Sequence, residues 1–227
     1  MEIKKFGIFL ESLARPDSSL KTLKRTKELN GSDFLEILNE NCKNFSFDNT
    51  QLWRSKTKKY NLELFTPTPR NADPLAFKDF FNEIEHNIEE YPVVRKNSLI
   101  GGTDKEICKF LVGGDMYLVI PFDDSEIVFC PIMDLWAMSD DRRNLTGKNM
   151  LVKGKPIGKE NFIKVNYTEN FKIPLDEIKK LPKAKTELPK SGLIKNYNGG
   201  VACEFFTSSP CLLIHESKID WLKKNLK

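Results

Sequence analysis

Ser98-Leu99-Ile100-Gly101-Gly102-Thr103-Asp104 decides how this chain is read. An apolar strand runs into two glycines, and a Thr-Asp pair then offers side-chain oxygens to the first amides of a helix. The helix is expected from Asp104 to Val112, and Gly113-Gly114 leads into a second strand, Met116 to Phe122. Glycines at a strand end leave no side chain to keep a ligand away from the backbone. The Thr103 hydroxyl beside them suits either the helix amides or the sugar of a ligand.

The surrounding chain reads as α+β. Upstream, Lys4 to Leu13 has a helical apolar side, and Arg15 to Gly31 is polar and basic like a linker. Ser32 and Asp33 are expected to cap a helix reaching Cys42, with Phe34, Leu35, Ile37 and Leu38 on its apolar face. Short strands are expected at Gln51 to Ser55 and Leu62 to Thr66. A Pro-rich loop then ends in Asp73-Pro74, the start of a helix burying Phe77, Phe80, Phe81, Ile84 and Ile88. Strands follow at Val93 to Ile100, Tyr117 to Phe122 and Ile127 to Cys130. Lys148 to Ser191 is Lys- and Pro-rich, with Phe162 to Val165 as its one strand. Val201 to Thr207 and Cys211 to His215 are the last strands, before a basic helix from Ser217 to Leu226. The organisation is therefore a leader and linker (1–31), a domain (32–216) carrying the insert 148–191, and a C-terminal helix (217–227).

Composition narrows the classes. The 227 residues are 40% hydrophobic with 16 Phe, enough for a real core. Charge is abundant at 30% but nearly balanced at +4, which favours a solvated Lys-rich surface over a nucleic-acid binder. No apolar run is long enough to cross a membrane, and Met1 to Leu13 lacks the pattern of a secretory signal. The five cysteines are never spaced as CxxC and read as reduced thiols; with two His available, no metal site is expected.

Three stations carry the chemistry: Leu52-Trp53-Arg54-Ser55, Gly101-Gly102-Thr103 and Ala202-Cys203-Glu204-Phe205-Phe206. Their order resembles the Arg, Ser-Thr-Ser, Glu pattern of the mono-ADP-ribosyltransferases. The chain also resembles a group of tailed-phage proteins, through Arg95 to Asp104, Tyr117 to Asp123, Cys130 to Trp136 and the leader-like Phe6-Gly-Ile-Phe-Leu-Glu11. The resemblance implies an ADP-ribosyltransferase-like split β-sandwich with N-terminal helices, and NAD as substrate. It further implies a host protein as target and a place in the virion or the host cytoplasm.

On that resemblance Glu204 stabilises the oxocarbenium-like ribose formed as nicotinamide leaves, and Thr103 orients Glu204 or the ribose. Arg54 holds the diphosphate through its planar fork, and Gly101 and Gly102 let the nicotinamide lie against the backbone. Arg95 and Ser98 are the runner-up contacts. Two positions depart from the family: a glycine stands where its first Ser falls, and Ala202 stands where arginine-modifying members carry an acid. Another acceptor, NAD hydrolysis and loss of activity all remain open.

Each residue has a structural reading as well. Arg54 belongs to the basic run Arg54 to Lys59, Thr103-Asp104 is a helix cap, and Glu204 is a solvent-facing strand position. Asp123-Asp124-Ser125 reads as a turn rather than part of a metal site with Asp134, and Cys203 as an inert thiol. Three functions compete: a transferase, a catalytically inactive relative binding a nucleotide-like ligand or host factor, and a packaged virion protein whose lysines meet DNA.

Overall fold

The computed structural model describes residues 26–67, 98–130, 151–152, 155–156, 162–174, 176–177 and 203–226. The expected helices at Lys4 to Leu13 and Asp73 to Ile88, and most of the Lys-rich insert, lie outside them, as do Arg70, Arg95, Asp134, Trp136 and Ala202.

The described residues form a large antiparallel sheet with few helices, an α+β arrangement. Its strands are β1 (Thr26–Glu28), β2 (Leu52–Lys56), β3 (Leu62–Phe65), β4 (Leu99–Gly102), β5 (Asp115–Pro121), β6 (Glu126–Cys130), β9 (Ile163–Asn166), β10 (Glu204–Thr207) and β11 (Cys211–His215). They lie in the order β1-β3-β11-β5-β2-β4-β10-β6-β9, and β7 (Leu151–Val152) pairs separately with β8 (Lys155–Pro156). The helices are α1 (Gly31–Asn41), α2 (Lys105–Val112) and α3 (Ile219–Asn225), the last preceded by a 3-10 turn at Glu216–Lys218.

Two apolar clusters cover the two faces. One gathers Leu52, Phe65, Tyr117, Val119 and Leu213 with Leu99, Phe205, Phe129, Tyr167 and Phe171. The other packs Phe34, Ile37 and Leu38 of α1 and Leu222 of α3 onto Leu62, Leu64, Leu118, Ile120, Leu212 and Ile214. β5 and β11 are buried on both sides, so they read as continuous apolar runs rather than as alternation. Each Leu or Phe so buried contributes about 1.5–3 kcal/mol.

Several local expectations change: β4 takes in Gly101 and Gly102 instead of ending at Ile100, and β7 and β8 add to the one strand expected in the insert. Thr26–Glu28 was expected to be linker, yet it pairs with β3 through Thr26 opposite Phe65 and Lys27 opposite Leu64. It is an edge strand, and the polar residues that guard an edge are those that make a stretch look like linker. The cap of α1 is Asn30, whose side-chain oxygen accepts from the Asp33 amide at 2.9 Å. Asp123-Asp124 forms the expected turn, with Asp124 at φ 60 and the Asp123 carboxylate accepting from the Lys43 and Asn44 amides.

One join positions the site. β2 and β5 pair along their length, but β2 meets β4 at Trp53 opposite Gly102 and the ladder goes no further. The sheet is thus two ladders, five strands and four, joined at one point.

Candidate functional site

The three stations fall on neighbouring strands, β2, β4 and β10. Gly102 stands between Trp53 and Glu204, so Leu118, Trp53, Gly102, Glu204 and Cys130 form one rank across the sheet. Paired residues in antiparallel strands point to the same face, and successive residues to opposite faces. Trp53 and Glu204 therefore share a face. Arg54, next to Trp53 and opposite Tyr117, points to the other.

Arg54 fills the join. Beyond the Trp53–Gly102 pair its Nη1 donates to the Ile100 carbonyl at 2.8 Å, in place of a continued ladder bond. Its guanidinium carbon lies 5.7 Å from the centre of the Phe65 ring, within the first cluster. The side chain is half-buried rather than a solvated charge, and it springs from the face opposite Glu204.

Glycine at position 101 is demanded by packing. A Cβ there would stand 2.3 Å from the Trp53 carbonyl oxygen and 2.5 Å from Cε1 of Phe205. The space expected for a nicotinamide is occupied by the Phe205 ring. Gly102 is buried one residue on, and Ser98, also buried, sits about 13 Å from it at roughly 3.3 Å per residue.

Thr103 and Asp104 divide the work expected of them jointly. Asp104 alone caps α2, accepting from the Ile107 amide at 2.9 Å. Thr103 turns to β10: its amide donates to the Cys203 carbonyl, and its Oγ1 accepts from the Cys203 amide, each at 3.0 Å. That clamp fixes the residue directly before Glu204. Glu204 itself is 6% exposed, which replaces the solvent-facing expectation. Near it on α2 is Cys108, whose thiol is pushed up to about 12 by burial and then by the charges of Asp104 and Glu204. Burial likewise raises the Cys203 thiol to about 12, which disfavours its thiolate. Trp53 is half-buried on this face, with the Lys105 ammonium 5.3 Å above its ring and paired to Glu216 at 2.8 Å.

The opposite face holds a polar cluster that the sequence reading missed. Glu63, fully buried in β3, is paired with Lys56 and accepts from the Tyr60 amide at 3.2 Å. The Lys56 ammonium lies 4.7 Å above Tyr117, whose hydroxyl donates to the Tyr60 carbonyl at 2.7 Å. Burial lowers the Lys56 pKa despite Glu63, and raises Tyr117 to about 12. His215 packs edge-on against Tyr117 at 5.3 Å. The alternation of Leu62-Glu63-Leu64 reads as a half-exposed strand; only the residues converging from β2 and β5 reveal a buried charge.

Among the described residues no three His, Cys, Asp or Glu side chains gather as a metal site, and no helix is long and apolar enough to cross a membrane. Compared with family models, curated proteins and solved structures, the chain matches none.

Proposed function

We propose that this chain is an ADP-ribosyltransferase-like protein of tailed-phage type that binds a nucleotide-like ligand or a host factor without transferring ADP-ribose. Support for the likeness is the adjacency of the three stations on β2, β4 and β10, in the family's chain order. The observation that carries the loss of catalysis is the opposite facing of Arg54 and Glu204. A diphosphate held by Arg54 on one side of the sheet leaves its ribose out of reach of a carboxylate on the other. Transfer chemistry needs both groups on one substrate within hydrogen-bond distance. The Phe205 ring, which fills the space beside Gly101, supports the same reading. The reading places the protein in the virion or the host cytoplasm.

The test is incubation with labelled NAD and host lysate, alongside equilibrium dialysis against NAD and ADP-ribose. The expected outcome is nucleotide binding with neither nicotinamide release nor label transfer, unchanged in Glu204→Gln. Nicotinamide release that Glu204→Gln abolishes would restore the transferase reading. Absence of binding to both nucleotides would remove the ligand reading.

A further inference from the structure

We infer that Ser217, His215 and Asp115 form a second, hydrolytic site in which Ser217 attacks the carbonyl of a small carboxylic ester. The three side chains meet where β11 leaves the sheet beside the start of β5. Ser217 Oγ lies 2.7 Å from His215 Nδ1, and His215 Nε2 lies 3.3 Å from Asp115 Oδ1. The tautomer follows from a third bond: the Ser217 amide donates to Nδ1 at 3.2 Å, so Nδ1 carries no proton. The ring proton is therefore on Nε2, directed at Asp115, and the single Nδ1 lone pair is shared by the Ser217 amide and hydroxyl, so that Nδ1 takes the hydroxyl proton by giving up the amide bond.

A helix cap explains only part of this arrangement. Capping requires the amide bond to Nδ1; the hydroxyl bond and the Asp115 bond are additional. Exposure is also divided as the chemistry needs, with Ser217 exposed and His215 6% exposed. The other groups around the imidazole are Tyr117 against its ring, Lys56 over Tyr117, and Glu216 beside it in sequence.

In the reaction, Oγ forms a bond to the ester carbonyl carbon as its proton passes to Nδ1. The C–O bond to the alcohol then breaks, and the alcohol leaves with that proton. Water, deprotonated by Nδ1, releases the acid and restores Ser217.

The full chain is treated with a fluorophosphonate probe, which Oγ would capture with loss of fluoride, and with 4-nitrophenyl acetate. The expected result is one label per chain at Ser217 by tandem mass spectrometry, absent in Ser217→Ala. His215→Asn keeps a side-chain acceptor for the cap, and should slow labelling by about a hundred-fold or more. In Asp115→Asn labelling is slower, because the ring loses the carboxylate that orients its Nε2 proton. No labelling, labelling elsewhere, or a rate indifferent to His215→Asn overturns the site.

Discussion

Gly101 shows how one residue decides between two readings of the same motif. In sequence it opens room beside the backbone; in the sheet that room belongs to Phe205 and the Trp53 carbonyl. A backbone oxygen 2.3 Å from a new Cβ has no rotamer with which to move aside. Gly101→Ala should therefore destabilise by about 1–3 kcal/mol through overpacking. Urea unfolding would report it as a lower midpoint at unchanged slope. Arg54 gives the same lesson from the polar side. Its residue type was legible as an anion-binding fork, but the bond it makes to the Ile100 carbonyl depends on β4 departing from β2 there.

At the scale of elements, the Thr103–Cys203 clamp ties the end of β4 to the start of β10. Thr103→Val removes the acceptor of the buried Cys203 amide, which should cost about 1–3 kcal/mol. Faster hydrogen exchange at the Cys203 amide would locate the loss, and Thr103→Ser should restore protection. Element existence was read well for strands whose apolar runs are bounded by turns. β6 begins after the Asp123-Asp124 turn, and β11 after Pro210. β1 was missed because an edge strand of Thr-Lys-Glu buries too little to leave a pattern. Its pairing with β3 supplies what its composition lacks.

Across the whole molecule, the two clusters and the helix α2 bury thiols and phenols whose ionisation opposes the fold. Burial raises Cys108 and Cys203 to about 12, and pushes Cys42, Cys211 and Tyr167 up as well. A group raised in the folded state contributes stability that is complete below its unfolded pKa, 9.0 for these thiols, and is lost as pH climbs toward the folded value. Lys56, lowered by burial, acts in the opposite sense near 10.5 but is one group against several. Stability should therefore fall from pH 9 upward, by up to about 1.4 kcal/mol per pH unit for each buried thiol, and the melting temperature should fall with it. Calorimetry between pH 8 and 10.5 checks it; a flat profile would contradict the burial. The sequence alone determined the α+β class, the order of the stations and the strands around Arg54 and Glu204, because these depend on local runs and turns; that Gly101 and Gly102 lie within a strand came from its pairing with β10. It could not determine which side of the sheet each side chain faces. That parity is set by long-range register, and a slip of one residue would have reversed it. The single pairing of Trp53 with Gly102 put Glu204 on one face and Arg54 on the other.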